Sequence, residues 1–228
     1  MQARDVMTAN VITADPDASV RDIAKLLVEH KVSGVPVVDK SGKLVGIVSE
    51  GDLMRRPESE TEHHRSWWLK LLVSHDQKVA EYIKTHGQHA ADVMSRPVIT
   101  VAEDATLEKV ADTLQKHRVK RAPVMRGEKM IGIVARADLL HGLIARQAGH
   151  APSTDDNKIK AALERELKSA EVDARFLNMI VSGGVVHVWG MVTSAEDREA
   201  VRVAAESTAG VKQVQLNVDV MPRAFSAE

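Results

Sequence analysis

The chain has 228 residues, no cysteine, 3% aromatic residues and 31 Lys/Arg against 32 Asp/Glu. Its length suits one to three domains, and the missing cysteines exclude disulfides, thiolate metal sites and a cysteine nucleophile. The near-neutral balance lacks the basic excess of a nucleic-acid binder, so no nucleic-acid partner is expected.

The amino terminus, Met1-Gln2-Ala3-Arg4-Asp5, has no basic stretch leading into an apolar run. No segment approaches the ~18 apolar residues of a membrane span, so a soluble, cytoplasmic protein is expected. The first predicted element is an extended segment, Val11-Ile12-Thr13, followed by Ser19 placed to cap a helix. In that helix Val20, Ile23, Ala24 and Leu27 recur at the spacing of one buried face. A β-branched strand, Val35-Pro36-Val37-Val38, turns at Lys40-Ser41-Gly42-Lys43 into a strand over 44–48, and a helix opens at Gly51-Asp52. Residues 55–91, with Trp67, Trp68, Leu69, Leu71, Leu72, Val79 and Ile83 among many charges, predict an insert of two amphipathic helices broken near Ser74-His75-Asp76.

The series then repeats. Val98-Ile99-Thr100-Val101 is extended, Thr106 caps a helix carrying Leu107, Val110, Ala111 and Leu114, and Ala122-Pro123-Val124-Met125 turns at Arg126–Lys129 into a strand over 130–134. A helix opens at Ala137-Asp138, and Gly149–Thr154 is a breaker-rich linker. Residues 155–223 follow another pattern. Ile159, Leu163 and Leu167 mark a helix; Phe176, Met179 and Val181 a strand; Gly183-Gly184 a turn into Val185–Val192; Ser194 the cap of a helix through Ala200, Val201, Val203 and Ala204; and Val214, Leu216, Val218 and Val220 a last strand.

Asp5-Val6-Met7-Thr8 returns as Asp92-Val93-Met94-Ser95, and Gly46-Ile47-Val48 with Asp52-Leu53 returns as Gly132-Ile133-Val134 with Asp138-Leu139. A match sustained through apolar and polar positions is an internal duplication. The expected class is α/β (α+β): two β-α-β-β-α repeats, over 1–54 and 92–148, packed as a pseudo-twofold pair. The insert occupies 55–91 and the linker 149–154, and a small α-β-β-α-β domain spans 155–223. Each repeat, at about 50 residues, is too small to bury a core alone.

The two copies resemble cystathionine-β-synthase (CBS) domains, which occur as tandem pairs called Bateman modules. Residues 155–223 resemble a BON domain through Gly184, Val186, Val188, Gly190, Val192, Gly210, Val211 and Val214. The first resemblance implies regulatory binding of an adenosyl compound (AMP, ADP, ATP or S-adenosylmethionine) in clefts between the repeats, and a homodimeric disk. The second implies contact with phospholipid or a protein partner.

An adenosyl ligand needs an apolar slot for its base, a carboxylate for the ribose diol, and hydroxyls or positive charge for phosphate. The resemblance places Asp52 and Asp138 at the ribose, where each also suits a plain N-terminal helix cap. It places Ser49 at a phosphate; the second copy has Ala135 there, followed by Arg136. Thr13 and Thr100 line the cleft or pack as turn residues, and Val11, Val35, Val98 and Ala122 form the base slot or simply core. Lys120 and Arg121, with Arg118 nearby, suit a polyphosphate or a solvated helix end.

His63, His64, His75, His86 and His89 match no zinc spacing, so no metal site is expected. His187 and Trp189 alternate with valines and predict a half-exposed strand face. The chain has no P-loop, no GxGxxG and no catalytic triad context. A non-catalytic sensor is therefore expected, needing no cofactor beyond a regulatory nucleotide. The alternative is a membrane-peripheral or protein-binding adaptor whose CBS pair serves to dimerise.

Overall fold

The structure, a computed structural model, describes residues 1–54, 82–84, 86–146 and 154–221. Most of the predicted insert, Trp67 and Trp68 included, and most of the linker lie outside the described residues. The chain divides into two units, Ile12–Val98 and Met1–Val11 with Ile99–Glu228.

In the unit Ile12–Val98, Ser19 Oγ accepts the Asp22 amide at 3.1 Å and starts α2 (Val20–Glu29), which buries Ile23 and Leu27. The short α1 (Ala3–Val6) belongs to the other unit. Strands β1 (Gly34–Val38) and β2 (Leu44–Ser49) pair antiparallel with Val35 opposite Val48, and α3 (Glu50–Leu53) follows directly. Later in sequence, α4 (Ala90–Val93) returns to this unit, and Ser95 bridges to Ile47. Ala14, Val35, Val37, Val48, Val93 and Met94 share one core with Ile23 and Leu27.

The other unit repeats that plan. β3 (Val101–Ala102) runs parallel to β4 (Arg121–Arg126), which pairs antiparallel with β5 (Lys129–Ala135). Thr106 caps α5 (Leu107–Lys116), and α6 (Arg136–Arg146) leaves the end of β5. Here Thr8 bridges to Ile133, and Ala3 and Val6 of α1 join the core of Val101, Val110, Leu114, Ala122, Val124 and Val134. The opening motif of each copy therefore packs on the strands of the other copy.

The expected first strands are shorter than the apolar runs suggested. Pairing begins at Ala14, bridged to Val37, and at Val101. The residues just before carry the chain from one unit to the other and pair with no strand among the described residues.

The same unit holds the last domain: α7 (Thr154–Ser169), β6 (Leu177–Ser182), β7 (Val185–Val192), α8 (Ala195–Ser207) and β8 (Gln213–Val220). Its sheet has the order β6-β7-β8, antiparallel then parallel. Leu177, Met179, Val181, Val186, Val188 and Val192 point to α7 and α8, packing on Leu163, Leu167, Val201 and Ala205. The architecture is the expected mixed α and β one. Among the described residues, no helix is long and apolar enough to cross a membrane.

Candidate functional site

The two repeats place an aspartate at the same point, the first turn of the helix that follows the Gly-Ile-Val strand. Asp52 Oδ2 accepts the Ser49 amide at 2.9 Å and the Ser49 hydroxyl at 2.6 Å. Its Oδ1 accepts from Lys84 Nζ at 3.2 Å and Ser95 Oγ at 3.0 Å. Burial pushes this carboxyl upward, but the Ser49 bonds and the Lys84 ammonium outweigh it and hold the pKa below its ordinary value.

Asp138 Oδ2 accepts the Ala135 amide at 2.7 Å, the counterpart of the Ser49 bond. Its other oxygen faces different company: Asn178 Nδ2 of β6 donates to Oδ1 at 3.2 Å and to the Val6 carbonyl at 2.6 Å. The residue is only 8% exposed. Burial raises its pKa to about 6, against the pull of the Ala135 amide and the charges of Arg121 and Lys160. Lys160, on α7, donates to the Asp5 carbonyl at 3.3 Å, and burial lowers its own pKa.

Positive charge gathers beside Asp138. The Arg136 amide donates to the Lys120 carbonyl at 3.2 Å, its guanidinium reaches the Val119 carbonyl at 3.3 Å, and Arg121 pairs in register with Ala135. At the corresponding place near Asp52, the Glu50 amide donates to the Ser33 carbonyl at 3.3 Å. An acid and two small residues, Glu50, Ser33 and Gly34, thus stand where the second copy has Arg136, Lys120 and Arg121.

The remaining expected residues scatter. Val35 and Ala122 lie wholly inside the two cores. Thr13 and Thr100 are exposed, and Val11 and Val98 half-buried. Val11 falls in the unit of Asp138 and Val98 in the unit of Asp52.

Sequence reasoning missed the groups that surround each aspartate: Lys84 and Ser95 at Asp52, and Asn178, Lys160 and His141 at Asp138. His187 also differs from expectation, being 2% exposed instead of lying on a half-open face. The cause is α6, whose His141 ring stacks on Trp189 at 4.4 Å and 4°, with His187 in the same row at 5.4 Å from Trp189. Burial lowers the pKa of both histidines. Among the described residues no three potential metal ligands cluster.

The CBS domain pattern matches residues 3–59 and 90–145, and the BON domain pattern matches 155–222. An uncharacterised protein of Methanocaldococcus jannaschii is 32% identical over 155 residues, covering 63% of this chain and 92% of its own length. CBS domain-containing protein CBSX2, chloroplastic, of Arabidopsis thaliana is 32% identical over 157 residues, covering 61% of this chain and 62% of that protein's length. The crystal structure of CBSX2 in complex with AMP superposes with a TM-score of 0.53 at 31% identity, over 63% of this chain and 96% of that one. With both copies of the opening and closing motifs in place around Asp52 and Asp138, the chain belongs to the CBS-domain family, as a tandem CBS pair followed by a BON domain.

Proposed function

We propose that the chain is a non-catalytic regulatory protein that binds an adenosyl ligand (AMP, ADP, ATP or a related compound) at Asp52 and Asp138. The BON domain then passes the event to a partner. The carrying observation is the matched pair of aspartates, each anchored at a helix start by one backbone amide, to Ser49 and to Ala135. The Asp138 carboxylate, which accepts from the Ala135 amide and from Asn178, keeps lone pairs for a ribose diol, whereas at Asp52, which accepts four bonds, the diol would replace Lys84 or Ser95 as donor. The AMP complex of CBSX2 supports the ligand class.

The trio Lys120, Arg121 and Arg136 favours phosphate at the second aspartate through charge-assisted bonds. Glu50 disfavours it at the first, where the Ser49 hydroxyl already donates to Asp52. The second site is therefore assigned the phosphorylated ligand. Thermal-shift and calorimetric titration with AMP, ADP, ATP and S-adenosylmethionine, repeated on Asp52→Ala and Asp138→Ala, tests this. Ligand binding to the folded state raises Tm by mass action. Absence of any shift at millimolar ligand would sink the reading.

Self-association belongs to the same proposal. Leu140, Leu143 and Ile144 of α6 lie on one helical face and are 62%, 56% and 51% exposed, an apolar strip suited to a second copy of the chain. Sedimentation equilibrium of Leu143→Glu against the unmodified chain should show a shift from dimer to monomer.

A further inference from the structure

The BON sheet has two covered faces. One is the domain's own core. The other carries Asn178, Ile180, His187 and Trp189 and rests on the second repeat. Ile180 is fully buried in that repeat's core cluster, and Trp189 packs against the same cluster while stacking on His141. Asn178, 6% exposed, ties β6 to both α1 and Asp138 through its two donated bonds. Lys160 adds a bond from α7 to Asp5. The aspartate assigned to a ribose is thus covered by a different domain of the same chain.

We infer that the BON sheet is a built-in cap on Asp138, so that docking of β6 and binding of an adenosyl ribose at this aspartate exclude one another. This rests on the adenosyl reading proposed above. The diol would donate to the carboxylate that now takes the Asn178 amide, and it needs the opening that Asn178 fills. A ligand with affinity for the undocked state alone draws the equilibrium toward it, and its apparent affinity falls in proportion to the undocked fraction. Undocking frees Ile180, His187 and Trp189 together, a surface of apolar and aromatic groups whose exposure rises when ligand is bound. Asp52, held by Ser49, Lys84 and Ser95, is outside this control.

Calorimetry with AMP on the full chain and on Ile180→Glu tests the cap. The substitution sets a charge on the docked face and leaves the BON core residues unchanged. Ile180→Glu is expected to tighten one of two sites by about tenfold or more, the factor that an undocked fraction of about one in ten imposes. Adding Asp138→Ala should then remove that site alone. Equal affinities in the two chains, or weaker binding in Ile180→Glu, overturn the cap while leaving the adenosyl reading intact. Silence of both chains toward AMP removes the ligand at Asp138 and the exclusion with it, and is distinguishable because Ile180→Glu is then silent as well. Should Ile180→Glu lose its fold by circular dichroism, hydrogen exchange on the unmodified chain decides. Saturating AMP is expected to speed exchange at the amides of Leu177–Ile180, and unchanged protection overturns the proposal.

Discussion

Met94 lies against Gly46 so closely that a Cβ at position 46 would stand 2.0 Å from its sulfur. Met7 fits Gly132 the same way, at 2.4 Å. The methionine of each opening motif thus needs the glycine of the other copy's closing motif, a physical reason for the two motifs to recur together. Gly46→Ala should cost about 1–3 kcal/mol by overpacking, measured by urea denaturation. Adding Met94→Ala should recover part of that loss, because the two positions share one space. Additive losses would show that the contact is not the cause.

Asp138 gives a stability term with a defined direction in pH. Its carboxyl is held at about 6 instead of 3.8, chiefly by burial. The folded state therefore binds this proton more tightly, and the contribution is full below the unfolded value and lost as pH rises through about 6. Its ionisation in the folded state costs on the order of 3 kcal/mol. Asp138→Asn, which keeps an acceptor for the Ala135 amide, should stabilise the chain by about 1–3 kcal/mol in mildly alkaline buffer. The gain should shrink toward zero in acid below the unfolded value. Denaturant midpoints in the two buffers measure it, and a gain independent of pH would contradict the burial.

His141 and His187 act in the opposite sense. Burial lowers both, so their contribution is kept above the ordinary 6.5 and declines as pH falls through it. His141→Phe, which preserves a ring against Trp189, should flatten the loss of Tm between pH of about 6.5 and 5. An unchanged slope would place the loss elsewhere.

The BON domain depends on a buried carboxylate and a special backbone. Asp156, 3% exposed, accepts the amides of Gly183 and Gly184 at 3.1 and 2.8 Å and so fixes the β6–β7 turn from the start of α7. Asp156→Ala should cost about 1–3 kcal/mol by stranding those donors. Gly190 has φ of +132°, and a Cβ there would meet the Phe176 carbonyl oxygen at 1.9 Å. Gly190→Ala should lower Tm more than Asp156→Ala, since the obstacle is backbone and cannot rotate away.

Much of the fold was legible because it is written locally. Ser19 and Thr106 cap the helices they were expected to cap, and the hairpins turn at Ser41-Gly42 and Gly127. What stayed hidden depends on distant partners. Nothing near Met7 says that it packs on Gly132, and the four-residue helices α1 and α4 have too few turns to show periodicity. The aspartates themselves were readable, but the groups around them come from other elements. One signal was present for the covered BON face: Leu177–Val181 is apolar at nearly every position, with Asn178 alone polar. Such a run marks a strand buried on both sides, not one with a wet face.

The chain crosses between its units at Val11/Ile12 and again at Val98/Ile99. The repeat read from sequence and the body made by packing are therefore out of phase, related as circular permutants. A cut after Leu53 divides a packed body, whereas cuts at the two crossings follow its edges. Dissection of this chain is best planned from the crossings: residues 12–98 are one continuous stretch containing their own bridge partners, Ser95 for Ile47 and His89 for Ser19. The body that holds Ile99–Glu228 must instead take its opening motif, within Met1–Val11, from the other end of the sequence.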